Sequence, residues 1–130
     1  MAYLLYDLIL CLSALFLVPY YLFRGLRYGK SRGGIRERMG TYPNGLVNSL
    51  RGRTVIWVHA VSVGETRAVS PLLRALRNRH PDAVLLLSHV TETGREVALQ
   101  VAEADQCIFF PFDLSWVVRR VLRRIRPSVI

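Results

Sequence analysis

Acidic side chains are scarce in this 130-residue chain, nine against eighteen Lys and Arg, which leaves a formal charge of +9. Cysteine is scarcer still. Cys11 lies inside a long apolar run and Cys107 opens a short one, so the two are not placed to meet and no disulfide framework is expected. No CxxC pair, HExxH helix or EF-hand loop occurs, and His59, His80 and His89 are too scattered to suggest a metal cluster. Each histidine reads as structural or solvent-exposed. The strand-to-helix turns carry neither a GxxxxGK loop nor GxGxxG, which argues against an ATPase or a dinucleotide enzyme and leaves no cofactor implied. The positive charge invites a nucleic-acid reading, yet no helix-turn-helix, zinc-finger or aromatic-basic signature accompanies the arginines, so no nucleic-acid partner is expected. Arg119, Arg120, Arg123, Arg124 and Arg126 read as a solvated positive face.

One long apolar run is present. Tyr3 to Phe23 carries Asp7 as its one charge, and as a helix it would extend about 30 Å, the thickness of a bilayer's hydrocarbon core. It has neither the positive start nor the cleavage site of a signal peptide, which favours an uncleaved anchor. Tyr20, Tyr21 and Phe23 suit the interfacial belt. Arg24, Arg27, Lys30, Arg32, Arg36 and Arg38 follow, against Glu37 alone, so the positive-inside rule places the remainder in the cytoplasm beside anionic headgroups. The expectation is a transmembrane or membrane-anchor helix over 1–23 and a basic juxtamembrane linker over 24–53, with a buried or interfacial helix as the alternative.

Beyond the linker, strands and helices alternate. Thr54–His59 reads as a strand buried on both faces. Val69, Leu72, Leu73 and Leu76 then recur at helical spacing, with Pro71 leaving two starts open: a helix from about Ser62 that bends, or one capped at Ser70-Pro71. Ala83–His89 is a second strand, followed by a helix from Thr91 to about Glu103. Cys107–Phe110 is a third, and Leu114, Val117, Val118, Val121, Leu122 and Ile125 stripe a further helix. This order implies an α/β fold with a parallel, doubly wound sheet and right-handed crossovers over 54–130. Arg126 to Ile130 reads as a loop and the first residues of a fourth strand, so we expect a truncated chain.

The turn after the first strand is where chemistry is expected. In open α/β sheets ligands bind outside the carboxyl ends of the strands, and a helix start there offers free N–H groups. Ser62, Gly64 and Glu65 would line that crevice. The same Ser62-Val63-Gly64-Glu65 is also a capping box, in which Glu65 reaches back to the Ser62 N–H.

Trp57-Val58-His59-Ala60-Val61-Ser62-Val63-Gly64-Glu65, Thr91-Glu92-Thr93-Gly94-Arg95-Glu96, Phe110-Pro111-Phe112-Asp113-Leu114 and the basic Gly34-Ile35-Arg36-Glu37-Arg38-Met39-Gly40 stand in this order behind an apolar N-terminal segment. Together they resemble the 3-deoxy-D-manno-octulosonic acid (Kdo) transferases of Gram-negative bacteria. The resemblance implies an inner-membrane glycosyltransferase of the GT-B architecture, with two Rossmann-like domains. This chain would correspond to the anchor and most of the acceptor-side domain. Such enzymes move Kdo from CMP-Kdo to a lipid A precursor with inversion, and the family's general base falls on Glu65. Donor contacts lie mainly in the second domain, so the isolated chain is expected to be inactive.

Lesser roles are open elsewhere. Backbone N–H groups from Thr91 to Gly94, with the Thr93 hydroxyl, could bind a phosphate or hydroxyl of the acceptor, with a second capping box at Thr93-Gly94-Arg95-Glu96 as the alternative, and Arg95 could pair with a lipid A phosphate, with a solvated surface arginine as its alternative. Glu37 could help place an acceptor sugar, with a structural ion pair as its alternative. Arg32, Arg36 and Arg38 could receive the acceptor's phosphates at the bilayer surface. Two other readings stay open: a membrane-anchored binding module, and a non-catalytic remnant that pairs with a partner protein.

Overall fold

The computed structural model describes residues 2–28, 34–101 and 103–130, and in the first helix the side chains of residues 5–17 and Pro19. Among these residues the order is α1 (Ala2–Tyr28), α2 (Ile35–Arg38), α3 (Asn44–Leu50), β1 (Val55–His59), α4 (Val63–Arg79), β2 (Val84–His89), α5 (Glu92–Ala98), β3 (Gln106–Phe109) and α6 (Ser115–Ile125).

The three strands form one parallel sheet in the order β1-β2-β3, with Val55 opposite Val84 and His59 opposite Ser88. Val129 joins on the free side of β1: the Trp57 N–H donates to its carbonyl at 2.9 Å and the Ser128 N–H donates to Val55 at 2.8 Å. The start of a fourth strand, expected from the sequence, is therefore in place.

Alternation along each strand divides the core in two. Val55, Trp57, Val84, Leu86 and Ile108 meet Val117, Val121 and Ile125 of α6, together with Tyr42 and Leu50. Ile56, Leu85 and Leu87 meet Leu73 of α4 and Ala98 of α5. The folded unit thus begins ahead of the expected boundary at residue 54, since Tyr42 and Leu50, from the segment read as a linker, are core residues.

α4 is a single helix from Val63 that carries Pro71 inside it, which selects the first of the two starts. Of its expected stripe, Leu72 is exposed, because Thr66, Val69, Leu73 and Leu76 already make the face toward the sheet. α5 stops at Ala98 rather than near Glu103. Tertiary contacts override the local pattern there: the Gln100, Val101 and Ala104 N–H groups donate to the Val97, Ala98 and Val101 carbonyls in i to i−3 bonds, and Arg77 of α4 gathers the segment that leads into β3. Its guanidinium donates to the carbonyls of Pro81, Ala83 and Glu103 at 2.9–3.2 Å and pairs with Asp105, whose carboxylate also accepts the Leu85 N–H at 2.7 Å.

α1 turns Asp7, Leu10 and Ala14, an i, i+3, i+7 set, toward the domain. Asp7 accepts from the Ser115 N–H at 3.2 Å and its hydroxyl at 2.9 Å, and Tyr6 donates to Asp113. Leu114 at the start of α6 has no side-chain cap, so Asp7 supplies one from a distant helix. Among the described residues no helix is long and apolar enough to cross a membrane. The expected crossing by residues 1–23 therefore finds no support.

Arg77→Met should lower the unfolding free energy by about 2 kcal/mol, since it strips charge-assisted bonds from three carbonyls, two of them partly buried, and a carboxylate. Arg74→Met, which removes a pair with Glu103 that is largely exposed on the arginine side, should cost less than about 1 kcal/mol. Urea titration of both variants measures the difference, and equal losses would deny Arg77 its organising role.

Candidate active site

Parallel strands bring their carboxyl ends to one edge, and the β1–α4 and β2–α5 turns meet there. The Ala60 N–H donates to Ser88 at 2.8 Å and the Val90 N–H to Val61 at 3.4 Å, which joins the two turns. Ser62 caps α4, its Oγ accepting the Glu65 N–H at 3.4 Å. The Glu65 carboxylate accepts from the Val61 N–H at 3.0 Å and from the Ser62 hydroxyl at 3.4 Å. The box closes on Val61, one residue earlier than its usual form, and leaves the carboxylate exposed at the carboxyl edge of the sheet.

The two glycines of this edge differ in kind. A Cβ on Gly94 would come within 2.8 Å of Thr91 Oγ1 and 3.5 Å of His89 Cβ, so the buried Gly94 is required by packing. A Cβ on the exposed Gly64 would meet nothing closer than Ser62 Oγ at 3.9 Å. The second capping box is displaced: the cap of α5 is Thr91, whose Oγ1 accepts the Gly94 N–H at 3.0 Å and the Thr93 hydroxyl at 3.4 Å. Thr93 itself lies exposed beside it.

Glu37 and Arg95 come together across 58 residues. The Arg95 guanidinium donates to both Glu37 oxygens at 3.0 and 3.2 Å, and the Phe109 N–H donates to one of them at 3.0 Å. The partner of Glu37 is thus Arg95 rather than its neighbours Arg36 and Arg38. Arg95, read as a phosphate ligand or a solvated arginine, is half-buried in this pair and 4.8 Å from the Phe109 ring centroid. Arg38, expected at a lipid surface, turns inward, donating to the Val90 carbonyl with its guanidinium 4.5 Å from the same ring. Arg36 is exposed, and Arg32 lies outside the described residues.

Sequence reasoning missed a buried relay at this edge. Trp57 can only donate, and its Nε1–H does so to Ser88 Oγ at 2.7 Å, while His59 Nδ1 lies 2.9 Å from the same oxygen. The His59 ring stacks on Phe110 with centroids 4.0 Å apart, and burial holds its pKa below the ordinary imidazole value while the Ser88 backbone and the Glu65 charge oppose that shift. The available signal was register: Trp57, His59 and Ser88 share a neighbourhood only once β1 and β2 are aligned. Among the described residues no group of three His, Cys, Asp or Glu could hold a metal.

The family model for 3-deoxy-D-manno-octulosonic-acid transferase matches residues 33–130. The chain belongs to the Kdo transferase family. It is 28% identical over 127 residues to the 3-deoxy-D-manno-octulosonic acid transferase of Chlamydia pneumoniae, covering 96% of this chain and 28% of that protein. It is 31% identical over 124 residues to the Haemophilus influenzae transferase, covering 95% and 26%. A shorter match of 78 residues to the Bordetella pertussis transferase reaches 41% identity, covering 55% and 18%. The chain therefore spans less than a third of the length of these Kdo transferases. No solved structure matches it.

His89 stands behind the site, fully buried, edge-on to Phe109 and with neither ring nitrogen hydrogen-bonded. Burial above all, with Arg95 adding to it, pushes its pKa down to about 4 from the ordinary 6.5. Unfolding then takes up a proton, so its stabilising neutrality is complete above about pH 6.5 and is lost as the pH falls toward 4. Between pH 7 and pH 5 the unfolding free energy should drop by about 2 kcal/mol. His89→Leu should remove most of that drop in urea titrations at the two pH values, and an unchanged drop would assign it to other groups.

The glycines generate a paired expectation. Gly94→Ala should destabilise the fold by about 1–3 kcal/mol through overpacking, whereas Gly64→Ala should leave Tm unchanged or raise it. Comparable destabilisation at Gly64 in thermal melts would contradict the open space above it.

Proposed function

We propose that this chain forms the acceptor-side part of an inverting Kdo transferase, in which Glu65 is the general base. The observation that carries this reading is the exposed Glu65 carboxylate at the carboxyl edge of the sheet, oriented by the Val61 N–H and Ser62. The base takes the proton of an acceptor hydroxyl as that oxygen bonds to the anomeric carbon of Kdo. The bond from that carbon to the CMP phosphate oxygen breaks on the opposite face, and CMP leaves with the electron pair. CMP-Kdo as donor and a lipid A precursor as acceptor follow from the family, as does lipopolysaccharide biosynthesis. The sheet order Val129-β1-β2-β3 supports a Rossmann-like half of a GT-B enzyme. Transfer is assigned to this part acting with a donor-binding half.

Gly64 supports the crevice as a binding surface. Nothing in the fold calls for a glycine there, and the missing side chain lets a bulky sugar approach the helix start. The His59 imidazole adds a hydrogen-bonding group at the same edge, suited to a hydroxyl of the sugar. Thr93 can contribute a hydroxyl. Arg95 and Glu37 position the edge through their pairing rather than by contact with acceptor.

Attachment to the bacterial inner membrane, with the domain on its cytoplasmic side, is part of the same proposal. Leu8, Ile9, Leu12, Leu15 and Phe16 of α1 are all more than half exposed, an apolar surface suited to the interfacial layer of a bilayer. With Asp7 tied to α6, α1 is placed to lie along the bilayer surface, and exposed Arg36 suits anionic headgroups nearby.

Glu65→Gln in a transferase containing this region separates catalysis from capping. The glutamine oxygen can still accept the Val61 N–H, so stability should change by less than about 0.5 kcal/mol while kcat falls at least about 100-fold. A glutamine variant with near-normal turnover would sink the assignment and favour an anchored binding module.

A further inference from the structure

At the opposite end of the sheet from Glu65, a cavity of about 710 Å³ opens between α3 and the last turn of α6. Arg51 and Arg53 reach it from the loop before β1, and Arg123, Arg124 and Arg126 from the end of α6, with Asn48 on the α3 side. Five arginines line this space and no carboxylate does. Two of them are held by backbone carbonyls: Arg124 Nη1 donates to Gly40 at 3.1 Å and Arg53 Nη2 to Asp82 at 2.9 Å.

The backbone makes an independent statement. Arg126 ends α6 at φ 49°, ψ 56°, the left-handed conformation that helices ordinarily give to glycine. Among the described residues it is the one non-glycine with positive φ. A side chain in this conformation costs about 1 kcal/mol or more, and such strain is retained where the side chain has work to do. Here it adds a fifth arginine to a cavity lined by four others. Repulsion among these like charges would be relieved by an anion.

We propose that this cavity is a binding site for a phosphate-bearing anion, separate from the transfer site. Planar guanidiniums match phosphate oxygens in bidentate geometry, and five of them suit a ligand with more than one phosphate charge. α1 and the crevice lie at the carboxyl edge of the sheet and the cavity at the amino edge, which favours a soluble phosphate compound over a lipid headgroup.

Pyrophosphate titrated into the protein by calorimetry should bind saturably at one site and weaken as salt rises. Arg126→Gly and Arg123→Gln should each reduce affinity at least about 10-fold. Arg126→Gly should also raise Tm by a few degrees in anion-free buffer, because glycine relieves the strained backbone. Anionic vesicles of phosphatidylglycerol supply the second arm. Vesicle binding that is unchanged in the two variants and not displaced by pyrophosphate identifies a soluble ligand, whereas binding lost in the variants and displaced by pyrophosphate identifies a headgroup. Equal pyrophosphate affinity in the parent and both variants, or uptake without saturation, would overturn the site.

Discussion

The alignment of β1 with β2 is the constraint on which the rest depends. Their parallel register, Val55 opposite Val84 through His59 opposite Ser88, ends both strands at one level. Both following turns therefore open at the same edge, joined by the Ala60 N–H to Ser88 bond. A slip of one residue would exchange the two faces of β2, moving Leu86 out of the layer shared with Trp57 and α6. It would also separate Ser88 from both Trp57 and His59 and so break both of those hydrogen bonds. Packing in the two layers fixes the register, and the register in turn fixes the site.

The far side of β3 is closed by a different device. A strand at a sheet edge offers unpaired N–H groups, and here the Phe109 N–H is taken by the Glu37 carboxylate, itself held by Arg95. The carboxylate comes from a four-residue helix ahead of the sheet, and the entry to that helix is tightly defined. Gly34 lies at φ 79°, where any Cβ would fall 2.0 Å from the Phe109 ring. The basic segment before β1 is thus an integral flank of the domain, placing the Glu37 carboxylate against an edge strand and the Arg38 guanidinium against the Phe109 ring.

What the sequence discloses follows the range of the interactions. β1, β2, α4 and α6 are legible because burial imposes a period on neighbouring residues. Ser62 and Glu65 are legible because a capping box is local, even though the carboxylate closes on Val61. The end of α5 is not legible, since Arg77 determines it from another helix. Nor are α2 and α3, where Met39, Tyr42, Leu46 and Leu50 reach the core from short turns broken by Gly40 and Pro43, too short for a period to form. Glu37 with Arg95, and Trp57 with Ser88 and His59, depend on contacts between distant segments that only the assembled sheet supplies.

Asp7 shows how one residue can reverse a hydropathy reading. Within an apolar run a carboxylate counts as a blemish on a membrane span, costly at the centre of a bilayer by about 2.5–3.5 kcal/mol on insertion scales. In the fold it accepts the Ser115 N–H and hydroxyl, giving α6 the cap that Leu114 cannot provide. That bond fastens the second turn of α1 beside the β3–α6 turn, so the helix cannot carry this turn to the far side of a bilayer while the domain stays on the near side. β3 runs parallel to β1 and β2, which puts the start of α6 at the same edge of the sheet as Ser62 and Glu65. If the open apolar surface of α1 meets a membrane, the membrane lies along the edge that carries Glu65, the base we propose. A lipid-borne acceptor would then approach Glu65 without leaving the bilayer surface.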